Sequence, residues 1–572
     1  MVNSRWWQEA VFYQIYPRSF ADEDGDGMGD FAGIIRQLDY LEDLGIDAIW
    51  LSPHYPSPQV DCGYDISDYI GVAPEYGTLD TFRAFLEGAH QRGIRVVLDL
   101  VLNHTSDQHP WFQASRSGRD HPKRDWYVWR DGRTGTDGER LPPNNWESSF
   151  TGSAWEYDPA TDQYYYHHFL KEQPDLNWRN PEVRAAMWDV VRFWLDLGVD
   201  GFRLDAIATI YEHPDLPDHT SDMTLLDLYA VWATAEDPDV LAELGREWER
   251  LFEYQFDLPE VHDLMKDLRQ LVNGYGDVVL IGEDEKIAYY GSGDDELHMV
   301  FNFELMRTRR LTPPQIRANQ AERLAQLPDG AWPCNTLGNH DSPRVKSAFG
   351  DGVHDAELAR LSLALLLTLR GTPFLYYGEE IGMVNRVLDS LEQFRDTLAL
   401  RQYALAVENG FSEDRAFALV RKATRDVART PMQWSNAPNA GFSPAGVDTW
   451  LPVHPNYAEG VNVADQLDDP TSMLAFYRRL LAVRRSSPAL RLGEYESVLE
   501  DGASCLAFLR RVPDQLCLVV LNYTAQTQSL APDLPYRVTE VMFSTPARSG
   551  PIDLVALTVA PYGILIAEVA VA

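Results

Sequence analysis

Apolar positions Phe31, Ile34, Ile35, Leu38, Leu41 and Leu44 recur at helical spacing, and Gly45 ends the run just before the short apolar segment IDAIWLSP. The same unit returns at Leu79, Phe82, Phe85, Leu86 and Ala89, which lead through Gly93 into IRVVLDLVL. A helical stretch ending at Gly198 precedes VDGFRLDA, and a leucine-rich one before Gly371 precedes TPFLYYG. Strands that are apolar on both faces and alternate with helices predict a parallel sheet covered by helices. Candidate strands lie near residues 11, 48, 95, 201, 278, 299, 334 and 373, eight in all, the number that closes a (β/α)8 TIM barrel. The fold class expected is therefore α/β.

The interval between the third and fourth strands is too long for one crossover. Residues 105–175, rich in Trp, Tyr, Asn, Gly and Asp, predict an inserted loop-rich subdomain. The barrel is expected over 1–104 and 176–485, with an elaborated loop at about 385–470. Short alternating segments (CLAFLRRV, LCLVVLNY, GILIAEV) then predict a C-terminal antiparallel β-sandwich domain over 486–572.

Charge narrows the partners. With 49 Lys+Arg against 87 Asp+Glu, the chain of 572 residues carries a formal charge of −38, which repels phosphate backbones and anionic lipid surfaces. No nucleic-acid or membrane partner is expected. Cys62, Cys334, Cys505 and Cys517 form no close CxxC or Cys/His grouping, so packed, reduced thiols are expected rather than a disulfide framework or zinc site. The start MVNSRWWQEA lacks the basic and apolar stretches of a secretory signal, and no run of about 18 apolar residues occurs, so a cytoplasmic location is expected.

In such a barrel the polar residues ending strands face the active site. GFRLDA brings Asp205, VVLIGE brings Glu283, TLGNHD brings Asp341, and the third strand brings Asp99, Asn103 and His104. A single acid there is as easily a helix cap; several aimed at one rim suit glycosidic cleavage, which needs a carboxylate nucleophile or base and a carboxylic acid. Arg203, two residues before Asp205, shares its inward face and is expected to keep Asp205 ionised. Glu283 follows an apolar run, and burial there would suit it to the role of general acid.

DLVLNH, GFRLDA, LIGE and GNHD, in that order, resemble the four signature segments of α-amylase-type glycoside hydrolases. QPDLN at 173–177 and ARTPMQW at 428–434 resemble the α-glucosidase and oligo-1,6-glucosidase branch. The resemblance implies a retaining double displacement with Asp205 as nucleophile, Glu283 as acid/base and Asp341 as the carboxylate that holds sugar hydroxyls and stabilises the transition state. It implies that Tyr64 and Asp65 line the glucose subsite, that His104, Arg203 and His340 bind hydroxyls, and that Arg429 pairs across the pocket with Asp65, closing it for exo cleavage. Phe150 resembles an aromatic packed beside that glucose; a core role is the alternative for it and for Tyr64.

Asp22, Asp24, Asp26 and Asp30 of DEDGDGMGD converge hard oxygen donors among glycines, although Gly33 at the twelfth position departs from an EF-hand. The relatives carry a structural divalent ion here, with the Met28 position contributing its carbonyl, which implies calcium, with magnesium as the alternative. Ala206, after the nucleophile, resembles the small residue that accompanies α-1,4 activity. The function expected is an α-glucosidase acting on maltose and short malto-oligosaccharides with some transglucosylation; the alternatives are a glucosyl-transferring or isomerising relative of trehalose synthase or sucrose-acting type, and an oligo-1,6-glucosidase.

Overall fold

A computed structural model of the chain describes residues 4–232, 235, 237–499, 502–530, 534–548 and 552–572. The eight parallel strands are β1 Phe12–Ile15, β2 Ala48–Leu51, β3 Arg95–Val101, β4 Gly201–Asp205, β5 Val279–Gly282, β6 Met299–Val300, β7 Cys334–Thr336 and β8 Thr372–Tyr376. They lie in the order β6-β5-β4-β3-β2-β1-β8-β7.

Alternate strand residues go to opposite faces, and the two sets are apolar for different reasons. Phe12, Trp50, Val97, Ile281, Met299 and Phe374 fill the barrel interior. Tyr13, Ile49, Leu98, Phe202, Leu204 and Leu280 belong to the larger core that packs against the helices. Toward the carboxyl ends the inward positions change to buried polar groups: Gln14, Ser52, Asp99, Arg203 and Asp205. The sequence thus pays for a polar rim on an apolar plug. Helix Pro181–Leu197 delivers β4 through Gly198, whose φ of 103° is the left-handed turn that favours glycine.

Among the described residues β6 and β7 share no backbone ladder. Side chains close that seam. Asn302 donates to Asn335 (3.0 Å), Cys334 Sγ to the Val300 carbonyl (3.3 Å), and buried Arg323 to the Val300 and Phe301 carbonyls (2.6 and 2.8 Å).

Between β3 and helix Pro181–Leu197 lie a short helix, Pro110–Arg116, and a small antiparallel sheet whose longer strands are Trp155–Asp158 and Gln163–Tyr166. Two helical pairs elaborate the connections between strands, the second of them inside the segment read from the pattern as a loop. Leu225–Trp232 and Pro238–Phe252 follow β4, and Thr397–Glu408 and Glu413–Ala423 lie within 385–470. Their cores are small and self-contained: Leu225, Leu228, Leu244, Leu251 and Phe252 in the first, and Leu388, Phe394, Ala399 and Val420 in the second.

The C-terminal sheet has five antiparallel strands, with Gln528–Leu530 and Leu557–Val559 forming a separate pair. One face, with Ala507, Leu509, Leu518 and Val520, packs on that pair. The other face, with Leu506, Phe508, Val519 and Leu521, joins the main core. Buried Arg510 donates to the carbonyls of Thr368, Leu369 and Gly493 at this junction. All four cysteines are buried and unpaired, and no helix among the described residues is long and apolar enough to cross a membrane.

Candidate active site

A pocket of about 600 Å³ opens at the carboxyl ends of the strands. Of the residues singled out in the sequence, Tyr64, His104, Phe150, Asp205, Ala206, Glu283 and Asp341 line it. Arg203 lies beneath, 1% exposed, and organises the floor. Its Nη1 donates to Asp99 Oδ1 (2.6 Å) and Asp205 Oδ1 (2.8 Å), and its Nη2 lies 2.8 Å from Glu283 Oε2. The Ala206 N–H, from a residue at φ 41°, donates to the same Glu283 oxygen (2.9 Å).

One guanidinium therefore serves three carboxylates, and this changes the expected electrostatics. Burial pushes Asp99 up to about 6, against the opposing Arg203 charge. Asp205 is also raised, by burial first and then by Glu283, with Arg203 offsetting only part. Arg203 does favour the ionised form of Asp205, as its place two residues before it suggested, but burial and then Glu283 outweigh it. Asp205 is also the deeper of the pair, at 11% side-chain exposure against 22% for Glu283, although the apolar run had pointed to Glu283 as the buried one.

Asp341 behaves oppositely. Burial would raise it, but His340, Arg429 and Arg425 outweigh that and hold it well below the usual carboxylate range. Its Oδ1 accepts from Arg429 Nη2 (2.5 Å) and its Oδ2 lies 3.2 Å from His340 Nε2. Gln14 donates to His340 Nδ1 (2.8 Å), which leaves the proton on Nε2, facing the Tyr64 hydroxyl (2.7 Å). His104 takes the other tautomer, with Nδ1 on Asn103 Oδ1 (2.8 Å) and Nε2 accepting from Gln173 (2.9 Å). Burial pushes both imidazoles down to about 3, so both are neutral.

The structure corrects one pairing. Asp65 does not face Arg429: its carboxylate accepts from the N–H groups of Val60 and Asp61 (both 2.9 Å) and from the Ser57 hydroxyl (2.8 Å), so it ties its own loop. Arg429 is buried behind Asp341, with Nε on the His340 carbonyl (2.8 Å). The pair lining the pocket is Asp61 and Arg425, 3.0 Å apart, with Arg425 also bound to Asp396 (2.7 Å) and 5.5 Å from the Phe150 ring centroid. The left-handed turn at Cys62 and Gly63 (φ 50° and 107°) presents Asp61 and turns Asp65 inward. Both residues sat just outside the positions singled out in the sequence, Asp61 three before Tyr64 and Arg425 three before ARTPMQW.

Phe169, 5.5 Å from Phe150 and 5.3 Å from His104, completes the aromatic lining at that end. The opposite wall comes from the helical pair after β4, through Trp248, Phe252, Phe256 and Asp257, and from Lys286 after β5. None of these residues was singled out in the sequence.

At the first barrel loop, Asp22, Asp24 and Asp30 each place an oxygen within 4.8 Å of the others. Asp26 lies outside that group and accepts from the Met28 N–H (2.8 Å), while the Met28 sulfur accepts from Arg18 (3.0 Å). The Asp24 carboxyl is raised, by burial first and then by Asp26, Asp30 and Asp22. Such an all-oxygen, mutually repelling donor set fits a hard divalent cation.

The model for the alpha amylase catalytic domain matches residues 14–493. An oligo-1,6-glucosidase of Parageobacillus thermoglucosidasius is 40% identical over 559 residues, 94% of each chain. An alpha-glucosidase of Schizosaccharomyces pombe is 36% identical over 565 residues, 94% of this chain and 93% of that one. The structure of a trehalulose synthase from Pseudomonas mesoacidophila MX-45 matches with a TM-score of 0.87 and 38% identity, covering 99% of this chain and 100% of that one. With this coverage, and with an eight-stranded parallel barrel gathering its acids at the strand ends, the chain belongs to the alpha-amylase family of glycoside hydrolases.

Proposed function

We propose that the protein is a retaining, exo-acting α-glucosidase that releases terminal α-linked glucose from maltose and short malto-oligosaccharides, and that also transfers glucose to sugar acceptors. The observation that carries this reading is the sharing of Arg203 by Asp205 and Glu283 in a pocket whose far end holds the Asp61–Arg425 pair. Two carboxylates on one guanidinium suit the close separation of retaining enzymes, about 5–5.5 Å, rather than the about 6.5–9.5 Å that admits a water between them.

In this reading Asp205 attacks the anomeric carbon while Glu283 delivers its proton to the departing glycosidic oxygen. The covalent glucosyl ester is then opened by water, or by a sugar hydroxyl, which Glu283 deprotonates. Asp341, kept ionised by its arginines, holds glucose hydroxyls and supports the positive charge that develops at the sugar ring. Neutral His104 and His340 with Tyr64 bind hydroxyls without adding charge. A calcium or magnesium ion on Asp22, Asp24 and Asp30 would stabilise the loop after β1 and take no part in bond cleavage. Chelation is expected to lower Tm by several degrees with restoration by Ca2+, and Asp30→Ala is expected to abolish that response; a Tm indifferent to both would remove the ion from the reading.

The small side chain of Ala206 beside Asp205 favours α-1,4 linkages. The likeness to a trehalulose synthase favours a second reading, in which the aglycone is retained and glucose is moved rather than hydrolysed. A product-resolved panel of maltose, isomaltose, sucrose, trehalose and maltotriose decides. Maltose and maltotriose are expected to give α-glucose first; a sucrose isomer as main product favours the second reading, fastest cleavage of isomaltose favours an oligo-1,6-glucosidase, and initial β-glucose defeats retention.

A further inference from the structure

Asp257 joins the two loops that carry the catalytic pair. Its backbone sits at φ 54°, and its N–H donates to the Ala208 carbonyl (2.8 Å), three residues past Asp205. Its carboxylate reaches the other loop, accepting from the Tyr289 hydroxyl through Oδ1 (2.6 Å) and pairing with Lys286 through Oδ2. Lys286 lies three residues past Glu283. Tyr289 is itself fixed: it is 1% exposed and stacked on the His262 ring at 5.1 Å. With the Ala206 N–H on Glu283, these bonds complete a ring of contacts through nucleophile, acid/base and Asp257.

Asp257 and Lys286 also line the pocket on the side away from Asp61 and Arg425, beside Phe256. That is where the leaving or accepting sugar must lie if glucose occupies the closed end. An aspartate in a left-handed turn is tolerable by itself; one that also bridges two catalytic loops is a candidate for function.

We infer that Asp257 is a positioning residue, a latch that fixes the aglycone wall relative to Glu283 and so determines how well a second sugar is held as leaving group or acceptor. The exposed pair to Lys286 contributes little by itself. The Tyr289 bond is the firm member. The inference rests on the glucosidase reading, since it requires glucose at the Asp61–Arg425 end.

The experiment compares disaccharide with α-glucosyl fluoride, which carries the same glucose but no aglycone sugar. The disaccharide is whichever of maltose, isomaltose or sucrose the wild-type enzyme uses best, so a wrong choice of natural substrate does not count against the latch. Two variants are used: Asp257→Ala, and Tyr289→Phe, which keeps the stacked ring and removes only the hydroxyl. The ratio of kcat/KM on disaccharide to kcat/KM on α-glucosyl fluoride is expected to fall about tenfold in Asp257→Ala and about threefold or more in Tyr289→Phe, with a lower proportion of transfer products at high sugar concentration. A ratio within about twofold of wild type in the variants that fold overturns the inference, because a merely structural role lowers both substrates together. Should Asp257→Ala fail to fold, Tyr289→Phe decides alone.

Discussion

Asp205→Asn is expected to lower kcat on maltose by on the order of 10⁴-fold or more, without loss of the fold. An amide of the same shape still fits beside Arg203 but cannot form the glucosyl ester. It also relieves a conflict, since Asp205 is raised by burial and by Glu283 while Arg203 is divided among three acids. Thermal unfolding should therefore show a Tm equal to or above that of the wild type, the stability cost of an active site being removed with its function. Rates are to be read as glucose release from maltose. A variant retaining more than about one per cent of wild-type kcat would strip Asp205 of the nucleophile role, since losing a true nucleophile costs far more than that.

For Glu283→Gln the expected loss depends on the leaving group. On maltose, whose aglycone glucose departs only with a proton, kcat/KM should drop by about 10²–10⁴-fold, the range of general acid catalysis. On α-glucosyl fluoride the drop should be far smaller, because fluoride departs unaided. Azide should then speed turnover and yield α-glucosyl azide, since it attacks the ester formed on Asp205 from the face that water would have used. Equal losses on both substrates, or a β-azide product, would assign the proton to a different group.

The three strand-end acids were legible because a parallel barrel leaves little freedom about where a strand-end residue goes. Asp205, Glu283 and Asp341 follow short apolar runs of fixed period, and once eight such runs were recognised their acids had to meet at one rim. The substrate-side pair was not legible in the same way. Whether Asp61 or Asp65 faces the cavity is decided by the left-handed turn at Cys62 and Gly63, and a positive φ at cysteine leaves no mark in the sequence. Arg425 and Arg429 lie four residues apart, close enough that either fits a motif; packing behind Asp341 selected Arg429 for support and left Arg425 to line the pocket.

The relative depth of Asp205 and Glu283 was equally hidden. An apolar run describes the strand that precedes a residue, whereas exposure at the rim depends on loops from elsewhere in the chain. The aromatic wall from Trp248 to Phe256 escaped for a related reason: its helices bury a small core of their own, apart from the repeating helix–strand unit that marks the barrel.

The unlaced joint between β6 and β7 makes the barrel, topologically, a rolled sheet with two free margins. Free margins are where foreign strands add and where aggregation begins. Here the β6 margin is only two residues long, and Arg323 occupies the carbonyls of Val300 and Phe301 that an incoming strand would need. The side chains that close the joint thus also deny a neighbouring chain a place to attach.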